Sequence, residues 1–130
     1  MKDSMYQLRK KLDQLLVIST QKVDYTKMGT YPNDPLSLKM RKQEELFDEL
    51  KALAKENDTL LGRVVKFPYA DSYAMYVVTK VNKSTVRVTW VDWCDGWMDD
   101  RLGAEGTLDL EYVQQKITGE DKLAELFSKN

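Results

Sequence analysis

The densest chemistry in the chain lies between Val88 and Arg101, VTWVDWCDGWMDDR, which holds all three tryptophans, the single cysteine and four aspartates. Two carboxylates flanking a glycosidic bond can divide the roles of acid and nucleophile, or acid and base, without any other residue type. Asp92, Asp95, Asp99, Asp100 and Glu105 could supply such a pair. Carboxylates crowded into one turn are more simply read as solvated, and so small a domain has little depth for an enclosed cleft. Catalysis is therefore not expected. The stretch DWCDGWMDD also lacks the alternating ligand positions and distal glutamate of an EF-hand loop, so no calcium site is expected.

Composition closes other routes. The chain has no histidine, which removes the commonest zinc ligand and the commonest general base. Cys94 is alone, so an intrachain disulfide is excluded, and its neighbours Asp92 and Asp95 disfavour the thiolate that a nucleophile needs. Cys94 is read as a small apolar residue. No metal and no cofactor are expected.

The indoles raise a different question. Trp90 continues the alternation of Val86 and Val88 and is expected in the core. Trp93 and Trp97 follow it among Asp92, Asp95, Asp99 and Asp100, where burying both rings is difficult. Tryptophan and tyrosine dominate interface energetics, and carboxylates around them would select and steer a basic partner. Trp93, Trp97, Asp92, Asp95, Asp99 and Asp100, with Tyr69 and Tyr73 nearby, are thus the candidate partner-binding rim. Two other readings compete: the indoles pack under the helices, or they form an aromatic cage for a methylated ammonium with Tyr69, Tyr73 or Tyr76.

These residues must be held by two kinds of element. Up to about residue 60 the apolar period is helical. Met5, Leu8, Leu12 and Leu15 form a stripe over Lys2 to Ser19, and Met40, Phe47, Leu50 and Ala54, flanked by Leu46 and Leu53, form a wider face over Leu36 to Asn57. Between them TKMGTYPNDP breaks the helix, with Asp34 placed to cap the second helix and Pro35 at its first position. A helical hairpin is predicted. Its leucine stripe must pack on the second helix, on the rest of the chain or on another copy, and a homodimer through these helices is the working expectation.

From Gly62 the period becomes two. GRVVKFPY, AMYVVTKV, STVRVTWV and GTLDLEYV read as strands, with a tight turn at Asn82 and Lys83 and a long loop from Asp95 to Gly106. Leu108, Leu110 and Tyr112 are assigned to one face of the fourth strand. GEDKLAELFSKN reads as a short final helix whose Leu123, Leu126 and Phe127 are available to pack on the body. The expected fold is α+β: a helical hairpin over 1–60, a small antiparallel barrel over 61–117 and a helix or tail over 118–130. The strand order GRVVKF, AMYVVTKV, STVRVTWV, GTLDLEYVQQKI resembles an SH3-like small barrel of the Tudor or KOW kind, over Leu61 to Ile117. The resemblance implies architecture, because barrels of this size host many functions.

Charge weighs against a nucleic-acid role. The net charge is −1, and from Leu61 onward nine basic residues face eleven acidic ones. Arg63, Lys66, Lys80, Lys83 and Arg87 could still gather on one strand face, which keeps nucleic acid as the alternative partner. No apolar run is long enough to span a membrane, and MKDSMYQLRKKLDQLLVIST is too charged for a secretion signal, so the chain reads as cytoplasmic. The overall expectation is a non-catalytic module that binds a protein partner, an adaptor or an inhibitor of a larger complex such as phages direct against host machinery.

Overall fold

A computed structural model describes residues 2–21, 33–69, 72–92 and 103–128; the side chains of Lys2, Tyr69, Ser72, Tyr73 and Asp92 lie outside that description. The elements run α1 (Lys2–Thr20), α2 (Pro35–Glu56), β1 (Val64–Tyr69), β2 (Ser72–Val81), β3 (Thr85–Asp92), β4 (Glu105–Asp109) and α3 (Leu110–Ser128). The fold is α+β, a helical hairpin followed by a four-stranded antiparallel half-barrel and a C-terminal helix. The strands are joined as a meander in the order β1-β2-β3-β4, so β1 and β4 are the two edges.

Local chemistry explains the hairpin. The Asp34 carboxylate accepts a hydrogen bond from the Ser37 amide at 3.1 Å and Pro35 occupies the first helical position. These hydrogen bonds hold the Asp34 carboxyl below its ordinary value. At the other end of α2, Asp58 takes the left-handed conformation (φ 49°), with its amide on the Lys55 carbonyl and the Thr59 amide on that of Ala54. This is a Schellman cap with aspartate where glycine is usual.

The sheet is buried on both faces. Leu8, Leu12 and Leu15 of α1 and Leu46, Leu50 and Ala54 of α2 cluster with Val77 and Val91 on one side. Val65, Val78, Val86 and Val88 cluster with Val113 and Ile117 of α3 on the other. The α1 stripe is therefore consumed within the chain: Leu8 and Leu15 are fully buried. Nothing in this packing supports a dimer seam along it. Gln43, also buried, donates from its Nε2 to Ser19 Oγ at 3.0 Å and to the Val91 carbonyl at 2.9 Å. One amide thus ties α1, α2 and β3 together.

Three local expectations are corrected. The β2–β3 turn is centred on Lys83 and Ser84, and no left-handed asparagine is involved: Asn82 bonds the Thr85 carbonyl through its amide and Thr85 Oγ1 through its side chain. The fourth strand stops at Asp109, because the Asp109 carboxylate caps the Tyr112 amide at 2.9 Å and starts α3 there. Leu110 and Tyr112 are helical. Leu123, Leu126 and Phe127 are not buried against the body; residues 122–128 are all exposed, Phe127 at 76%.

Candidate functional site

Both edge strands begin in the same way. The Gly62 amide donates to the Val78 carbonyl at 2.8 Å while the Val78 amide donates to the Arg63 carbonyl at 2.9 Å. Likewise the Gly103 amide donates to the Trp90 carbonyl at 2.8 Å and the Trp90 amide to the Ala104 carbonyl at 2.9 Å. In each case two residues face one, and the first is a glycine at φ 83° or 87°. These are glycine bulges, the conformation that glycine adopts at least cost.

The bulges set which backbone groups face outward. Antiparallel partners alternate between hydrogen-bonded and non-bonded pairs. With Arg63 bonded to Val78 and the register Val65↔Tyr76 and Phe67↔Ala74, the outward slots of β1 are Val64, Lys66 and Pro68. With Ala104 bonded to Trp90, Leu110 to Ser84, and the register Gly106↔Val88 and Leu108↔Val86, the outward slots of β4 are Glu105, Thr107 and Asp109.

A charged cleft covers the β1 edge. Phe47, Asp48 and Lys51 of α2, Val64, Lys66 and Pro68 of β1, and Lys116, Glu120 and Asp121 of α3 line about 510 Å³. Arg63, 8% exposed, grips Asp121 with both arms of its guanidinium, at 2.7 and 3.2 Å. Lys51 and Lys55 approach the same carboxylate at 3.7 and 3.9 Å. Burial alone would raise the Asp121 carboxyl, but the Arg63 hydrogen bonds and the charges of Arg63, Lys55 and Lys51 outweigh it and hold the group below its ordinary value. Neighbouring Glu120 goes the other way, pushed up by burial against the partial relief of Lys116, Lys66 and Arg63.

A different space borders the β4 edge. Phe67, Ala74, Tyr76 and Val88 on the α3 side of the sheet, with Pro68 of β1 and Ala104 to Leu108 of β4, line a mainly apolar groove of about 360 Å³. Phe67 and Tyr76 in its lining belong to a row of four rings. Phe67 meets Tyr76 edge-on at 5.7 Å, Tyr76 meets Trp90 at 5.9 Å, and Phe67 stacks on Tyr112 at 6.2 Å, with Lys116 Nζ 5.3 Å from the Phe67 ring centre. Tyr112 roofs the row at the start of α3, and the groove is the part of the half-barrel mouth beyond that roof. It opens at the end where β1 finishes, β2 begins, β3 finishes and β4 begins.

Trp90 is 4% exposed and packs on Tyr76 in the core, as the alternation with Val86 and Val88 predicts. Tyr76 is packed between Phe67 and Trp90. Trp93, Cys94, Asp95, Trp97, Asp99 and Asp100 lie outside the described residues, as do the side chains of Tyr69, Tyr73 and Asp92. The backbones of the last three occupy the strand ends at the groove: Tyr69 pairs with Ser72, Tyr73 with Pro68 and Asp92 with Met75. The basic residues of the alternative reading fall into two groups. Arg63, committed to Asp121, and Lys66 line the charged cleft, while Lys80 and Arg87 are cross-strand partners near exposed Lys83 in the β2–β3 turn, with Arg87 paired to Glu105 at 3.0 Å.

Sequence reasoning missed the groove-lining pair Phe67 and Leu108 and the Asp121 network. Alternation placed Leu108 on a face but not over a mouth, and Asp121 meets Arg63 across 58 positions. Among the described residues no three or more Asp, Glu or Cys converge, and no helix is long and apolar enough to cross a membrane. No protein-family model, no curated protein and no solved structure matches the chain.

Proposed function

We propose that this protein is a non-catalytic interaction module that binds a protein partner at the open mouth of the half-barrel. The observation that carries the reading is the groove between β1 and β4, lined by Phe67 and Tyr76, at the end of the sheet where segment 93–102 leaves β3 and rejoins β4. In sequence, that segment holds Trp93, Trp97, Asp95, Asp99 and Asp100. Apolar walls with a few polar groups at the rim suit capture of a partner's side chains, and the carboxylates suit a basic one. An adaptor or inhibitor of a larger complex is the role such a module fills.

The decisive experiment fills the groove without disturbing the fold. A Cβ on Gly106 would meet Val88 Cγ2 at 3.8 Å, an ordinary contact, and Gly106 lines the groove, so Gly106→Leu is the filling variant, used once its melting temperature matches that of wild type. Lysate capture with wild type, Gly106→Leu and Asp99→Lys/Asp100→Lys, each with and without nuclease, is expected to yield a protein band lost in both variants and insensitive to nuclease. A band that Gly106→Leu retains removes the groove from the interface. Loss on nuclease treatment transfers the function to nucleic acid.

A further inference from the structure

Resting on the groove reading, we propose that the outer edge of β4 is a strand-addition site, which an extended, basic and alternately apolar segment of the partner joins as a fifth strand. Such addition needs an exposed ladder edge, a place for alternate side chains and no device that blocks pairing. β4 meets the first two, and its outward slots hold neither proline nor lysine, although Gly103 opens it with a bulge and Glu105 and Asp109 place negative charge along it. Of its outward slots, Glu105 and Thr107 each carry an N–H and a C=O and Asp109 an N–H, its carbonyl serving the first turn of α3. Among the described residues no strand pairs with that side.

The intervening residues Gly106 and Leu108 face the groove, so an added strand would send every second side chain over its aromatic lining. That fixes the alternation: apolar toward Phe67 and Tyr76, polar between. Charge fixes the sign of the polar positions. Among the described residues β4 and the first turn of α3 carry Glu105, Asp109 and Glu111, against Arg87, which pairs with Glu105 at 3.0 Å. An extended segment with arginine or lysine in those positions complements this stretch, and an acidic one is repelled.

The test pans a random displayed peptide library on the full chain, with Gly106→Leu for counter-selection. Enriched peptides are then synthesised and bound to wild type, Thr107→Pro and Thr107→Val, and amide exchange is followed by NMR. Thr107 pairs outward, so proline there deletes an edge donor without breaking a β3–β4 bond, while valine keeps the donor. Strand addition requires alternately apolar and basic peptides, slowed exchange at the Glu105 and Thr107 amides of the wild type, and binding at least about tenfold weaker for Thr107→Pro but unchanged for Thr107→Val. The exchange result is independent of how well the proline variant folds. If selected peptides leave the Glu105 and Thr107 amides exchanging freely and bind Thr107→Pro as well as wild type, strand addition is wrong and the groove stands. If no peptide distinguishes wild type from Gly106→Leu, the groove itself falls, and the fifth strand with it.

Discussion

The two edges of the sheet start from the same device and end in opposite states. β1 and β4 each open with a glycine bulge, each pairs on one side only, and each presents three outward backbone slots. On β1 one of those slots is Pro68, another is Lys66, and α2 and α3 flank the edge with an ion network centred on Asp121. Proline and lysine are what proteins place on edges that must not pair. On β4 the slots are Glu105, Thr107 and Asp109, and the adjoining space is apolar. β1 thus carries proline, lysine and two flanking helices, where β4 has its bulge and two carboxylates. That asymmetry favours the β4 side over the larger charged cleft for the proposed partner.

The largest expected effect separates the two bulges. At Gly62 an added Cβ would lie 3.0 Å from Leu50 Cδ2, and Leu50 is fully buried beside Leu8. At Gly103 the near neighbour is Thr20 Cγ2 at 3.1 Å, on an exposed helix end. Both positions carry the left-handed backbone penalty of about 1–2 kcal/mol, but only Gly62→Ala adds overpacking of about 1–3 kcal/mol. Urea unfolding is expected to show Gly62→Ala destabilised by about 3 kcal/mol and Gly103→Ala by about 1.5 kcal/mol. Equal losses would mean that β1 is no more embedded than β4, and the comparison would fail.

The next effect tests the fastening of β1. Asp121→Asn leaves the Arg63 guanidinium nearly buried and short of its counter-charge, which is expected to cost about 2–3 kcal/mol. The pH dependence has a definite sign. The folded Asp121 carboxyl sits below its ordinary value of 3.8, so its contribution is complete above that pH and is lost as pH falls through the folded value. Glu120 has the opposite sign: its folded value is raised above 4.5, so its favourable contribution is present below 4.5 and lost as pH rises through the folded value. Thermal melts across pH should therefore show Asp121→Asn with a weaker acid limb, and Glu120→Gln with a higher Tm than wild type at neutral pH. A Glu120→Gln variant less stable than wild type at neutral pH would mean that its carboxylate belongs to the network that holds the edge.

What could be read from the sequence follows the range of the interactions. The cap by Asp34 and Pro35, the two helical stripes and the inward alternation of Val86, Val88 and Trp90 are written within a few residues of one another, and the structure contains all of them. The start of α3 was just as local but was overridden by a coincidence: Leu108, Leu110 and Tyr112 alternate like a strand. The better signal was Asp109 as a cap followed by Val113 and Ile117 four apart on one helical face. The protection of β1 was not legible at all. It depends on Asp121 meeting residues of α2 and the head of β1, and no local period encodes such a meeting. The tryptophan- and aspartate-rich stretch drew attention through composition, whereas the groove beside it arises from tertiary closure.

The smallest effect concerns whether α3 reaches Asp121 as one unbroken helix. Thr118 and Gly119 resemble a boundary, and the sequence from Gly119 onward reads as a separate short helix. In the structure α3 runs through both, and Gly119 has nothing within 4 Å of where a Cβ would be. Glycine in a helix interior costs roughly 0.5–1 kcal/mol relative to alanine, so Gly119→Ala should stabilise the protein by about that amount. The gain is expected to depend on Asp121, because helical order past Gly119 is what presents that carboxylate to Arg63. In the Asp121→Asn background the end of α3 is free to fray, and part of the alanine's advantage should disappear. Full additivity of the two changes would show that the helix holds its course without the network, and that the closed edge of β1 owes more to Pro68 and Lys66 than to α3.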